Sequence, residues 1–117
     1  MKNTSKKTGL AAESAAARYL EKNGYKIAAR NYSSRYGEID IIAETDEYVV
    51  FVEVKYRRSL SSGLPREAVT PRKIQKLRIT AEGYVQEHPE EARDYRFDVI
   101  ELTEDGGLLL SHIIAAF

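Results

Sequence analysis

The chain has 117 residues, which suits one hydrophobic core spanning residues 1–117 and leaves little room for a second. Apolar residues make up 43% of it and charged residues 31%, and no apolar run approaches the roughly 20 residues that cross a bilayer, so no membrane role is expected. The absence of cysteine excludes disulfides and thiolate zinc sites, and a formal net charge of zero points to no polyanionic partner on its own.

The start, Met1 to Lys7, is basic but leads into an alanine-rich helical pattern rather than the apolar stretch of a secretory signal, so a cytoplasmic location is expected. The spacing predicts a first helix over Thr8 to Asn23, with Ala11, Ala12, Ala15, Ala16 and Ala17 as strong helix formers and Gly24 as a left-handed cap. Leu10, Glu13, Ala17 and Leu20 share one face, which puts a carboxylate on the apolar stripe.

Tyr25 to Tyr32 reads as the first strand. Glu38 to Ala43 and Tyr48 to Tyr56 follow as two more, rich in Ile, Val, Phe and Tyr, with Glu44 to Glu47 as a hairpin loop between them. Thr70-Pro71 opens a second helix, Thr as N-cap and Pro at the first helical position, running to about Gln86. Ile74, Leu77, Ala81, Tyr84 and Val85 form its apolar stripe, which leaves Arg72, Lys73 and Lys76 on other faces. Arg96 to Leu102 and Leu108 to Ile114 complete the predicted set as two strands joined through a Gly-rich turn. Helix, three strands, helix, two strands predicts an α/β or α+β sandwich with a mixed sheet.

Charge interrupts these strands in a pattern. Glu53 and Lys55 lie two residues apart in an otherwise apolar strand and so share a face, and Glu38 and Asp40 repeat that period in the strand before. If Ala43 faces Tyr48 across the hairpin, Glu38 lies opposite Glu53, and Asp40, opposite Phe51, becomes a diagonal neighbour of Glu53. Carboxylates so placed repel unless a cation joins them, and oxygen ligands without His or Cys favour Mg²⁺ or Mn²⁺. Asp40, Glu53 and Glu38 are therefore the candidate ligands and Lys55 the candidate charge stabiliser, the set that phosphodiester hydrolysis requires. A cross-strand ladder of ion pairs among Glu38, Glu53 and Lys55 is the structural alternative. Glu13 reaches the same site from the helix or marks its surface boundary.

Although the total charge cancels, Lys55 to Arg78 carries eight basic residues against one acid, Glu67. A local positive field of this kind attracts polyanions, and Arg57, Arg58, Arg66, Arg72, Lys73 and Lys76 are the candidate nucleic-acid contacts. His88 and His112 match no metal or triad spacing. Asp98 has Arg96 as a same-face partner.

Taken together, Gly37-Glu38-Ile39-Asp40-Ile41-Ile42-Ala43, Val50 to Arg57, Gly63 to Val69, Arg96 to Val99 and the ending His112 to Phe117 closely resemble the YraN-like family of bacterial proteins. That family is similar to the restriction-endonuclease-like superfamily, with a mixed sheet of about five strands flanked by helices and an active site of Asp followed by Glu-x-Lys. The resemblance implies that Asp40 and Glu53 are metal ligands, Lys55 the catalytic lysine and Glu13 the helix acid that completes the site. It further implies likeness to archaeal Holliday-junction resolvases, hence branched DNA as substrate and a homodimer. Ile39 stands where the superfamily has proline, and Ala12 where many relatives have Gly. The expected activity is that of a metal-dependent endonuclease, the alternative a nucleic-acid-binding accessory module without turnover.

Overall fold

The computed structural model describes residues 2–58, 69–89, 93–104 and 106–117, with side chains from Gly9 onward. Two helices and five strands follow in the order α1 (Lys2–Lys22), β1 (Lys26–Ser34), β2 (Gly37–Glu44), β3 (Tyr48–Arg57), α2 (Pro71–Glu87), β4 (Asp94–Glu104) and β5 (Leu108–Ile113). The five-stranded sheet keeps chain order, β1-β2-β3-β4-β5. β3 and β4 are parallel, with α2 in the crossover that parallel pairing demands, and the other neighbours are antiparallel. This is the α/β class with a mixed, helix-flanked sheet. No helix among the described residues is long and apolar enough to cross a membrane.

α1 starts at Lys2 rather than Thr8, there being no glycine or proline before Gly9 to stop it. It ends as the glycine predicts. Gly24 sits at φ +88°, its N–H donating to the Glu21 carbonyl, while Tyr25 N–H donates to Leu20, a Schellman pair that satisfies the last carbonyls. Ala12, Ala16, Ala17 and Leu20 pack on Ile41, Ala43, Val50, Val52, Ile100 and Leu102. Small side chains let this helix lie close to the sheet. Leu10, expected on the stripe, is 52% exposed, so the buried face runs through Ala12 and Glu13 instead.

α2 covers the other sheet face, with Leu77, Ala81 and Tyr84 against Ile39, Ile42, Val49 and Phe51. Thr70 Oγ1 accepts from Lys73 N–H at 3.2 Å and Pro71 takes the first turn, as the sequence predicts. Gly37 begins β2 directly under this helix. A Cβ there would stand 3.2 Å from Thr80 Oγ1, so glycine is what lets β2 pass so near the helix.

Two rows of charge lie on these faces. On the α1 side, buried Asp98 accepts both arms of the Arg96 fork at 2.9 Å, Ala115 N–H at 3.0 Å and a 2.7 Å hydrogen bond from His112 Nε2. His112 Nδ1 meets Tyr19 OH at 2.8 Å and Arg96 donates to Tyr25 OH at 2.7 Å, which ties α1, β4 and β5 together. Burial alone would push the Asp98 carboxyl up, but these donors outweigh it and hold it below its ordinary value. The Arg96 partnership expected for Asp98 is present, and His112 is a structural histidine. The second row is the candidate site.

Candidate active site

The β2–β3 hairpin sets the site, and its register differs from expectation by two residues. Ala43 pairs with Val50, not Tyr48, because Thr45 Oγ1 accepts from the N–H groups of Glu47 and Tyr48 and makes Thr45–Tyr48 the turn. An even shift leaves every side chain on its face. It also removes Phe51 from opposite Asp40 and slides Asp40 toward Glu53.

Alternation fails at Asp40 itself. Ile41 and Ala43 belong to the α1-side core, yet Ile39, two residues before Ile41, lies with Ile42 in the α2-side core. Across in β1, the ladder runs Arg30↔Ile41 and Tyr32↔Ile39, and Asn31 between them sits at φ +53°, a conformation Asn tolerates better than most residues. The β2–β3 ladder stops at Ile41↔Val52. Beyond it the Asp40 side chain takes over the pairing, Oδ2 accepting from Val54 N–H at 2.8 Å. The strands part here and leave Asp40 on two cavities, one of about 330 Å³ shared with Glu13, Asn31 and Glu38, and one of about 220 Å³ shared with Glu38, Glu53, Lys73 and Lys76.

Glu53 and Lys55 alternate with Phe51 on the α2 side of β3, so the expected shared face is present. Glu53 is 5% exposed, and its Oε2 lies 3.2 Å from Lys55 Nζ and 2.5 Å from Lys73 Nζ. Burial, reinforced by the neighbouring charge of Glu53, pushes the Asp40 carboxyl up to about 7 against the opposing Val54 hydrogen bond. The Lys55 ammonium is held below its ordinary value, first by burial and then by Lys73 beside it, with Glu53 acting the other way. For Lys73 burial works against the charge, and contact with Glu53 prevails and raises it. A raised carboxyl next to a depressed lysine is the electrostatic pattern of reactive centres.

Does this donor set fit a divalent ion? Among the described residues no three His, Cys, Asp or Glu side chains gather tightly enough to cage one. Mg²⁺ rarely asks for a cage, since one or two carboxylates suffice when water and a substrate phosphate fill the other positions. Asp40 and Glu53, which line one cavity, supply that pair, and a cation there would relieve the repulsion by which Glu53 raises the Asp40 carboxyl.

A family model described as "Uncharacterised protein family UPF0102" matches residues 12–102 of this chain. The chain belongs to the UPF0102 family. A UPF0102 protein of Syntrophomonas wolfei is 51% identical over 110 residues, covering 93% of this chain and 96% of the relative. One from Sulfurihydrogenibium is 47% identical over 105 residues, 90% and 89% of the two chains. Another, from Lachnoclostridium phytofermentans, is 43% identical over 111 residues, 93% of each.

The other residues singled out in this UPF0102 chain fall into separate places. Glu13 is buried on the cavity wall shared with Asp40 and adds to the field that raises Asp40, but its Oε1 is held by Arg30 at 3.1 Å and by Asn31 at 3.0 Å. Glu38 is exposed at the mouth of both cavities. Arg57 turns inward, its Nη1 3.7 Å from the buried Glu101 carboxylate, and only 10% of its side chain is accessible. Arg58 is exposed and lines a cavity with Ala12, Tyr56 and Glu104 on the α1 side. Arg72 and Lys76 are exposed on α2, Lys76 on the Glu53 cavity. Arg66 lies outside the described residues.

Lys73 corrects the reading of α2. Expected on another face, it points into the site at Glu53. The signal was present in its spacing, for Lys73, Leu77, Thr80 and Tyr84 follow one another at helical intervals on the buried side. Arg30 and Asn31, which hold Glu13, come from an exposed edge strand with no apolar period to mark them.

Proposed function

We propose that this UPF0102 protein is a metal-dependent endonuclease that hydrolyses DNA phosphodiester bonds. The observation that carries the reading is the meeting of two carboxyl groups, Asp40 and Glu53, with two ammonium groups, Lys55 and Lys73, where β2 and β3 separate. Asp40 and Glu53 are the groups that would hold Mg²⁺ or Mn²⁺. Such an ion supplies charge neutralisation at a phosphate and acidifies a bound water.

The chain's own residues do the rest. Glu53 fixes the direction of Lys55, whose side chain keeps 20% of its surface accessible, so the ammonium can meet a phosphate oxygen as negative charge grows there. Val54 N–H anchors one Asp40 oxygen and leaves the other for the ion. Exposed Lys76, on the Glu53 cavity, and exposed Arg72, on the same helix, suit the flanking phosphates, and contacts of this sort make binding salt-dependent. Glu13 acts on Asp40 through its charge.

The test is cleavage of branched, single-stranded and duplex DNA by wild type, Asp40→Asn and Lys55→Ala, in Mg²⁺, Mn²⁺ or chelator. Metal-dependent cutting that both substitutions reduce by about 10²-fold or more is the expected result. Salt-sensitive binding with no cutting on any substrate favours an accessory binding module, a reading consistent with Glu53 being ion-paired twice. No binding at low salt removes both.

A further inference from the structure

We propose that Lys73 is the resident counter-ion of Glu53 and a positioning residue of the centre, holding that carboxylate while no divalent ion is bound and releasing it to engage a substrate phosphate when one enters. This rests on the metal-dependent reading above and adds a residue to it.

Geometry carries the inference. One oxygen, Glu53 Oε2, meets two ammonium groups, at 2.5 Å from Lys73 and 3.2 Å from Lys55, so a single buried carboxylate faces twice its own charge. Either cation can therefore leave this oxygen and the other still pairs it. Lys73 is the one free to leave: 40% of its side chain is accessible against 20% for Lys55, and it rides on a helix rather than inside the sheet. Its base is fixed, since the Lys73 N–H is bonded to Thr70 Oγ1 in the first turn of α2. Its flexible four-carbon stem lets the tip swing while that base stays put. The cavity into which it would swing also holds Lys76, which makes that wall attractive to phosphate. A divalent ion and the Lys73 ammonium compete for one oxygen, so removing the lysine should ease entry of the ion.

Calorimetric titration with Mn²⁺ alone, without DNA, tests this on wild type, Lys73→Met, Lys73→Gln, Glu53→Gln and Lys73→Met/Glu53→Gln. Lys73→Met is expected to bind Mn²⁺ about tenfold more tightly than wild type, a difference of about 1.4 kcal/mol. Lys73→Gln should gain in the same direction, and the gain should vanish when Glu53→Gln is also present. A merely structural lysine would lower the melting temperature of both Lys73 variants and leave their Mn²⁺ binding unchanged or weaker. That outcome, in either variant that folds, overturns the inference while the metal site stands. Equal Mn²⁺ binding by wild type and Glu53→Gln would instead overturn the metal reading, and the role of Lys73 with it.

Discussion

Two acids of the same sheet, Asp98 fully buried and Asp40 half-buried, live in contrary environments. Asp98 accepts hydrogen bonds from Arg96, His112 and the Ala115 N–H, and its carboxyl is held below the ordinary range. Asp40 has one backbone donor, a like-charged neighbour in Glu53 and cavities on both sides, and its carboxyl is pushed up to about 7. Loss of water acts to raise both carboxyl groups, so it does not separate a structural acid from a functional one. The number of donors left over after folding does. Asp98 is fully used in binding α1, β4 and β5 together, whereas Asp40 keeps capacity for something the chain does not itself provide.

The contrast is sharpest in stability. Asp98→Asn leaves the half-buried Arg96 without its counter-charge, and urea unfolding should show a loss of about 3 kcal/mol. A loss under about 1 kcal/mol would mean that the network is ornamental. In activity the order reverses. Lys55→Ala should reduce DNA cleavage by about 10²- to 10³-fold with little change in melting temperature, as expected for a group whose task is transition-state charge.

pH separates the acids further. Because the Asp98 carboxyl is depressed on folding, its stabilisation is present above its unfolded value of about 3.8 and is lost as pH falls through the lower folded value. Asp40 has the opposite sign. The folded chain keeps its proton up to about 7, so without metal its contribution to stability falls as pH rises from about 4 to about 7. Asp40→Asn should therefore stabilise the metal-free protein on the order of 1 kcal/mol at about pH 8, after allowance for solvent screening, and hardly at all at about pH 4. Thermal melts in chelator across that range check it, and destabilisation at the higher pH would erase the distinction. The smallest effect belongs to the rim: Arg72→Ala and Lys76→Ala should each lower the salt slope of DNA binding by about one, read from fluorescence anisotropy at several salt concentrations.

Much of this is legible in the sequence. Strand faces are set by a period of two, so Glu53 with Lys55 and Asp98 with Arg96 could be paired from spacing alone. Helix boundaries marked by Thr70-Pro71 and Gly24 follow from side-chain and backbone chemistry local to a few residues. The hairpin register was misjudged by two residues because a threonine hydroxyl, not loop length, selected the turn. Face assignment survived in β3, since the error was even, but not in β2 before Ile41, where alternation breaks. Lys73 was misplaced because a charged residue on a buried helical face is improbable until its partner on another element is known.

The amino-acid sequence by itself determined the order of the elements, the faces of β3 and the family, since each of these depends on local periodicity or on motifs read in order. Only the tertiary structure decided that β2 breaks its alternation at Asp40, that α2 delivers Lys73 to Glu53, and that Arg57 faces Glu101 inside the protein. The reason is physical: the charge state and freedom of a side chain depend on which other elements pack beside it, and that proximity is fixed by the closure of the whole core.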